Sequence, residues 1–256
     1  MFNLNGKKAI ITGASKGLGS ICAKALADEG AQVVLMARTQ EKLENVRKSC
    51  KNPDKHLSIA LDLTDIKKLR KAIAKAKAFL GKVDILLHVA GGGLGLRNPL
   101  LSLDDLERLF KLNVGIAAEI NHLIVPEMMK QKSGNVVHVC SIASSEATAS
   151  VGYNTVKAAL AGYVRTLGRE IAGCGIIVTG ILPGGFIAPE NSFARLQGKN
   201  PEMVKKFIQE RLPRKYLGKA EELIPMVLLL CSGSASMMNG CLVPIDAGEG
   251  MAYTTQ

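Results

Sequence analysis

Seven short apolar runs limit what this chain can fold into. They span residues 8–12, 32–37, 57–61, 83–89, 136–140, 176–182 and 242–245. Lys8-Ala9-Ile10-Ile11-Thr12 and Gln32-Val33-Val34-Leu35-Met36-Ala37 are typical. Runs this short, apolar nearly throughout and closed by turn residues, fit strands covered on both faces, as in a parallel sheet. Helical patterns lie between them. One passes through Ile21, Ala25 and Leu26 and ends near Gly30. A basic one runs from a cap at Asp65 to Leu80, and a third opens at Ser102 with Asp104 and Asp105 in its first turn. It continues with Leu106, Leu109, Phe110, Asn113 and Ile116 at core spacing, and later helices are expected over 153–173 and about 219–231. With no repeat, linker or composition break, the alternation predicts one α/β domain over 1–256. Its expected form is a doubly wound parallel sheet of about seven strands with helices on both faces.

The first strand leads straight into Thr12-Gly13-Ala14-Ser15-Lys16-Gly17-Leu18-Gly19 and then a helix. Strand, glycine turn and helix together aim backbone N–H groups and a helix N-terminus at a phosphate. Gly13 permits the tight turn; Gly17 and Gly19 allow backbone to approach ligand and sheet. A plain strand-to-helix turn can carry the same glycines, so position as well as spacing supports a dinucleotide. Arg38 follows the second strand, where such units meet the adenosine ribose, and there is no acid at 37 or 38. Lys16 and Arg38 suit the 2′-phosphate of NADP(H) better than the free 2′-hydroxyl of NAD(H). Asp62, after the third strand, is placed to accept from an adenine amino group.

The chemistry concentrates further along. Tyr153 and Lys157 are i and i+4, so on a helix they share a face. A phenol titrates near ~10, and an adjacent ammonium favours its phenolate. Ser141, twelve positions before Tyr153 and at the end of the fifth strand, can hydrogen-bond a carbonyl or alcohol oxygen. This trio suits acid–base work on a C–O bond and needs a hydride carrier. Asn113 is polar inside an apolar pattern and must find hydrogen bonds if buried. His56, His88, His122 and His138 read as structural, with His138 in mid-strand and no candidate ligand beside it. Residues 186–215, less regular and containing Pro189, Pro201 and Pro213, are the expected substrate lid.

The formal charge of +11 admits nucleic acid, anionic lipid or an anionic small ligand. No dense basic cluster with interleaved aromatics accompanies it. The run Lys67-Lys68-Leu69-Arg70-Lys71 with Lys75 and Lys77 reads as a solvated helix face, so neither nucleic acid nor membrane is an expected partner. The six cysteines include no CxxC pair, and there is no histidine cluster, so neither a disulfide frame nor a metal site is expected. Residues 1–12 lack the apolar core of a signal peptide, and no apolar run approaches the ~20 residues of a bilayer span. A cytoplasmic protein is the expectation.

Taken in order, these residues resemble the short-chain dehydrogenase/reductase family, and the likeness runs over essentially the whole chain. The turn at 12–19, Asp62, Ala90-Gly91, the set Asn113, Ser141, Tyr153 and Lys157, and Pro183-Gly184 match its motifs. The resemblance implies a Rossmann-like fold and an NADP(H)-dependent oxidoreductase acting on a carbonyl/alcohol pair. It implies that Tyr153 exchanges a proton with the substrate oxygen, that Lys157 supports it and binds the nicotinamide ribose, that Ser141 orients the substrate, and that Asn113 holds a relay water. It further implies cofactor contacts at Gly13, Ser15, Lys16, Gly17, Leu18, Gly19, Arg38, Asp62, Leu63, Ala90, Gly91, Tyr153, Lys157, Pro183, Gly184 and Phe186, with no metal. The chain departs from the family at His88-Val89 and at Ala188, which stand where Asn-Asn and Thr are usual. Ser144 or Ser145 can compete for the serine role because the spacing to Tyr153 is short.

By general similarity the chain resembles 3-oxoacyl-[acyl-carrier-protein] reductases, which use basic residues near the site to hold their carrier. Lys132 matches one such position, while Cys174 occupies the other. CoA thioesters, sugar nucleotides and free ketones or alcohols, some of them anionic, therefore stay open as substrates. A homodimer or homotetramer is expected, and Ala158, Ala159, Ala161 and Gly162 offer a small face for a second helix. The competing reading is a non-catalytic NADP(H)-binding scaffold or sensor of the same fold.

Overall fold

The computed structural model describes residues 2–252. Its centre is a seven-stranded parallel sheet in the order β3-β2-β1-β4-β5-β6-β9. The strands are β1 (Lys8–Thr12), β2 (Gln32–Ala37), β3 (Leu57–Ala60), β4 (Ile85–His88), β5 (Gly134–Val139), β6 (Ile176–Pro183) and β9 (Leu242–Ile245). A separate parallel pair joins β7 (Phe186–Ile187) to β8 (Gly218–Lys219).

Two apolar cores explain why the strands read as unbroken runs. On one side, Ile10, Val34, Met36, Leu86 and Val136 pack on α3 (Ile66–Leu80), α5 (Ile116–Gln131) and α6 (Val151–Glu170). On the other, Ala9, Ile11, Val33, Leu35, Ile85 and Val137 pack on α1 (Gly17–Asp28), α2 (Gln40–Ser49) and α9 (Ile224–Cys231). Successive residues of each strand thus face opposite cores, and both faces are apolar.

Several boundaries differ from the sequence reading. β4 begins only at Ile85, because Asp84 closes the edge with side chain and backbone: its carboxylate accepts from Lys8 N–H at 2.9 Å, and its own N–H donates to Lys8 O at 2.8 Å. β5 starts two residues early and stops at Val139. Residues 186–215 are not irregular but hold α7 (Ser192–Lys199) and α8 (Pro201–Arg211). Asn191 caps α7 through Ala194 N–H at 2.9 Å, and Asn200 caps α8 through Met203 N–H at 3.1 Å. Pro201 therefore opens a helix, as a first-turn proline can, instead of breaking one. The β7–β8 pair ties the two ends of this segment together.

The stretch after Ser102 also departs from simple core spacing. α4 (Leu103–Phe110) passes into α5 through a π-helical turn, Lys111–Gly115, in which Ile116 N–H bonds Lys111 O. The extra residue turns Phe110 outward, 48% exposed, while Leu109 and Ile116 stay buried.

Candidate active site

The sheet order reverses at β1. From there the chain adds β2 and β3 on one side and β4 to β6 on the other, so a crevice opens where the carboxyl ends of β1 and β4 diverge. Thr12 spans it: its hydroxyl accepts from Val89 N–H at 3.2 Å and Ala90 N–H at 3.3 Å. Gly13 has φ +68°, and a methyl there would stand 2.9 Å from Ala90 N. The turn is therefore built for backbone against backbone, which is the cradle a dinucleotide's phosphates need. Gly17 begins α1, Leu18 is buried at its base, and Ser15 and Lys16 line the rim. Gly17 N–H donates to Pro189 O at 2.9 Å.

The remaining cofactor candidates ring the same crevice. Arg38 is exposed immediately after β2. Asp62 follows β3 and accepts from Thr64 N–H at 2.9 Å and its hydroxyl at 2.7 Å, bonds that hold its carboxyl below the usual range. Leu63 is buried beside it, Pro183 ends β6, Gly184 donates to Ile245 O at 3.2 Å, and Phe186 is half-buried in β7. Lys16, Arg38, Asp62 and the glycine turn thus line up along the carboxyl edge with charges, donors and an acceptor that fit a nicotinamide dinucleotide.

The proton-handling candidates meet at Gly91-Gly92-Gly93. A methyl on Gly91 would lie 2.8 Å from Asn113 Oδ1 and 3.4 Å from Lys157 Nζ, and one on Gly93 would lie 3.7 Å from the Tyr153 ring. Asn113 sits in the π-helical turn, 2% exposed. Its Oδ1 accepts from Gly92 N–H at 2.9 Å, and its Nδ2 donates to Gly92 O at 3.0 Å and Leu109 O at 2.9 Å. Lys157 is 3% exposed and donates to Val139 O, at the end of β5, at 2.8 Å. Its Nζ is 5.6 Å from the centroid of the Tyr153 ring.

Ser141 lies two residues beyond β5 and caps a short turn, accepting from Ala143 N–H at 3.2 Å. Ser145 bonds back to Ile142 O at 3.4 Å, while the hydroxyl of Ser144 is buried without a partner. Neither competitor shares the position of Ser141 at the strand end.

Sequence reading missed the group that fixes this loop. Asn154, next to Tyr153, donates to Ala143 O at 2.9 Å and to Glu146 O, and accepts from Ala149 N–H at 3.0 Å. Asparagine beside the tyrosine carries no signal by itself; only the fold brings residues 143–149 onto it. A second group escaped notice for the same reason. Glu249, 6% exposed, accepts from Gly185 N–H at 2.5 Å, and burial pushes its carboxyl up. Glu146 accepts from Met251 N–H at 2.9 Å and Ala252 N–H at 3.1 Å. The chain after β9 thus straps the Pro183-Gly184-Gly185 turn to the serine loop, and it does so with carboxylates.

Two expectations need correction. His138 has a neighbour after all, since it stacks on His88 with ring centroids 4.6 Å apart. Lys132 is not beside the site in this chain. It sits in a left-handed turn just before β5, at the amino end of the sheet, where it shares a shallow surface with Cys174 and Pro126. The residues between are one full strand, so the two ends of β5 face opposite sides of the molecule.

Among the described residues no helix is long and apolar enough to cross a membrane, and no group of three or more His, Cys, Asp or Glu is placed to hold a metal ion.

Residues 7–196 match the family model described as short chain dehydrogenase. The 3-oxoacyl-[acyl-carrier-protein] reductase of Thermotoga maritima is 28% identical over 96% of this chain and 98% of its own length. The 7α-hydroxysteroid dehydrogenase of Escherichia coli K12 is 31% identical over 97% and 98%. A solved 7α-hydroxysteroid dehydrogenase complexed with NADH and 7-oxo glycochenodeoxycholic acid superposes with a TM-score of 0.88 at 28% identity, covering 96% of this chain and 95% of that one. L-sorbose reductase of Gluconobacter frateurii, complexed with NADPH and L-sorbose, gives 0.88 at 28% identity, covering 98% and 99%.

Proposed function

The chain belongs to the short-chain dehydrogenase family, and from that membership we propose an NADP(H)-preferring oxidoreductase acting on a small carbonyl or alcohol. One observation carries the reading: Asn113, Lys157 and Tyr153 converge on Gly91–Gly93, beside the crevice at the strand-order reversal. The nicotinamide, when bound, supplies or takes up the hydride at the substrate carbon. In the reducing direction Tyr153 gives its hydroxyl proton to the carbonyl oxygen. The Lys157 ammonium, held by Val139 O, stabilises the phenolate that remains. Ser141 donates to the same substrate oxygen. Asn113 fixes the Gly92 backbone and holds a water, from which Lys157 relays a proton back to Tyr153.

Lys16 and Arg38 support the preference for NADP(H), since neither faces an acid from β2 and both are cations at the rim. The similar 7α-hydroxysteroid dehydrogenase carries NADH, so the nicotinamide is argued from the family and the preference from these two residues. For the substrate, we favour a neutral, hydroxyl-bearing molecule over the anionic one suggested by net charge. Glu249, Asp246 and Glu146 gather beside the Gly184-Gly185 turn and would repel an anion there. The segment 186–215 serves as the lid of a single domain. We further read the protein as cytoplasmic and homo-oligomeric, dimer or tetramer, with the exposed strip Thr155, Ala158 and Gly162 on α6 as the face for a second copy.

Fluorescence titration with NADPH and NADH, for wild type and Arg38→Asp, tests the cofactor half. Tight NADPH binding that weakens in the variant while NADH holds is the expected result. A carbonyl panel with Tyr153→Phe as control tests the chemistry. The variant should lose at least ~10²-fold in kcat, the lower range for acid–base assistance. Nucleotide binding with no turnover on any carbonyl or alcohol would favour a non-catalytic sensor.

A further inference from the structure

The loop leaving β7 returns to the amino end of α1. Pro189 offers its carbonyl to Gly17 N–H, and the next residue, Glu190, holds a left-handed backbone with φ +56°. That conformation is uncommon for a residue with a side chain. The Glu190 carboxylate accepts from Lys42 Nζ at 2.6 and 2.5 Å and lies 3.9 Å from Lys16 Nζ. The Arg195 guanidinium, on α7, donates to the Glu190 backbone carbonyl. Lys16 follows the glycine turn and Lys42 stands on the first turn of α2, four residues past Arg38. The Lys16 ammonium is pulled down by burial first, then by the charge of Arg195, with Lys42 and Arg38 adding to this and Glu190 opposing it. Cations from the glycine turn and α2 thus converge on the Glu190 carboxylate at the rim of the nucleotide crevice, while the α7 cation holds the same residue's backbone. Like charges so close repel unless an anion sits among them, and Glu190 is the anion the chain supplies itself.

We propose that Glu190 is a cofactor-specificity residue, an internal anion that competes with the adenosine 2′-phosphate for Lys16 and Lys42, and that Lys42 belongs to the set that binds this phosphate. The inference rests on the NADP(H) preference argued above and deepens it. A phosphate monoester outbids a carboxylate because it offers more charge and more acceptor oxygens to the same ammonium groups. When it takes them, Glu190 swings away. α7 goes with it, because Arg195 and the Asn191 cap tie that helix to the Glu190 backbone. A nucleotide without the 2′-phosphate leaves the pairing intact. The 2′-phosphate is then sensed both as charge and as a shift at the base of the 186–215 segment.

Calorimetric titration with adenosine 2′,5′-bisphosphate and 5′-AMP, which needs no turnover, tests this on wild type, Glu190→Gln, Lys42→Ala and the double variant. Exposed ion pairs are individually weak, so Glu190→Gln should tighten the bisphosphate by about fivefold at low salt and leave 5′-AMP unchanged. The gain should shrink at about 0.5 M salt, where exposed charges are screened. Lys42→Ala should weaken the bisphosphate and cancel the gain from Glu190→Gln. Equal changes for both nucleotides, no change in Glu190→Gln, or an unaffected bisphosphate in Lys42→Ala would each overturn the inference. If wild type prefers the bisphosphate but Glu190→Gln does not raise that preference, only the role of Glu190 fails. If wild type and Glu190→Gln both bind the two nucleotides equally, the NADP(H) preference fails with it.

Discussion

His138 lies almost flat against His88 across two neighbouring strands, with ring planes 22° apart. Both rings are buried. His88 Nε2 is 2.9 Å from Asn121 Oδ1, Asn121 Nδ2 donates to the Tyr163 hydroxyl at 3.0 Å, and neither nitrogen of His138 has a partner. Burial lowers His88 to about 4 and holds His138 well below 6.5, with the charges of His88 and Lys157 adding to the latter. Both rings are therefore neutral in the folded protein when the unfolded chain would protonate them. Each contributes stability that is complete above about pH 6.5 and is lost as pH falls towards 4. The slope approaches ~1.4 kcal/mol per pH unit per ring. Thermal melts from pH 7 to 4.5 should show this decline. In His138→Leu the decline should be shallower, and stability at pH 7 should be unchanged or higher, since an unpaired buried polar group costs roughly 1–3 kcal/mol. A steeper acid decline in that variant would count against the neutral stack.

Asn113 satisfies Gly92 N–H, Gly92 O and Leu109 O at once. Asn113→Ala leaves these groups without it and should cost about 3 kcal/mol, lowering Tm by roughly 6–12 °C. Asn113→Asp can accept from Gly92 but cannot donate to either carbonyl, so it should not restore Tm. Differential scanning calorimetry of the pair would decide whether the amide, and not just its volume, is needed.

Asn154 touches no reacting group, yet it ties the serine loop to the helix bearing Tyr153. Asn154→Ala should lower Tm modestly, because it releases the carbonyl of buried Ala143 as well as that of half-buried Glu146. Ser141 would lose its fixed position, so kcat should fall by about tenfold while nucleotide affinity holds; misplacement by ~1 Å can cost more than this. A parallel loss of nucleotide binding would mean a general structural role instead.

Gly13→Ala puts a methyl into the Ala90 backbone at a positive φ. Titration should show both NADPH and NADH affinity reduced together, since the turn underlies either. Gly233→Ala, where a methyl meets nothing within 4 Å on an exposed turn, is the matched control and should bind as wild type.

The sheet was legible because parallel strands covered on both faces leave unbroken apolar runs, and all seven runs became strands of the central sheet. The positions of Gly13, Tyr153 and Lys157 were legible because turn and helix geometry are local. What was not legible is whatever depends on two distant segments meeting. Proline and loss of pattern hid α7 and α8, although the caps Asn191 and Asn200 were there to be read. Glu190 meets Lys42 across 148 positions, and Glu249 meets Gly185 across 64. Nothing in either neighbourhood announces the pairing. His138 read as isolated for the same reason, since His88 is adjacent only across the sheet.

The π-helical turn at Lys111–Gly115 has a consequence for how this chain tolerates changes of length. A helix is a screw, and each residue advances it by about 100°. Removing one residue from the turn would repair its hydrogen bonding and rotate everything after it. Ile116, Ile120 and Ile124 would leave the core, and Asn113 would lose Gly92. Substitutions in this turn can be graded by size or polarity, whereas a deletion has no mild form. The defect in the helix is thus what keeps α4 and α5 in phase with the site.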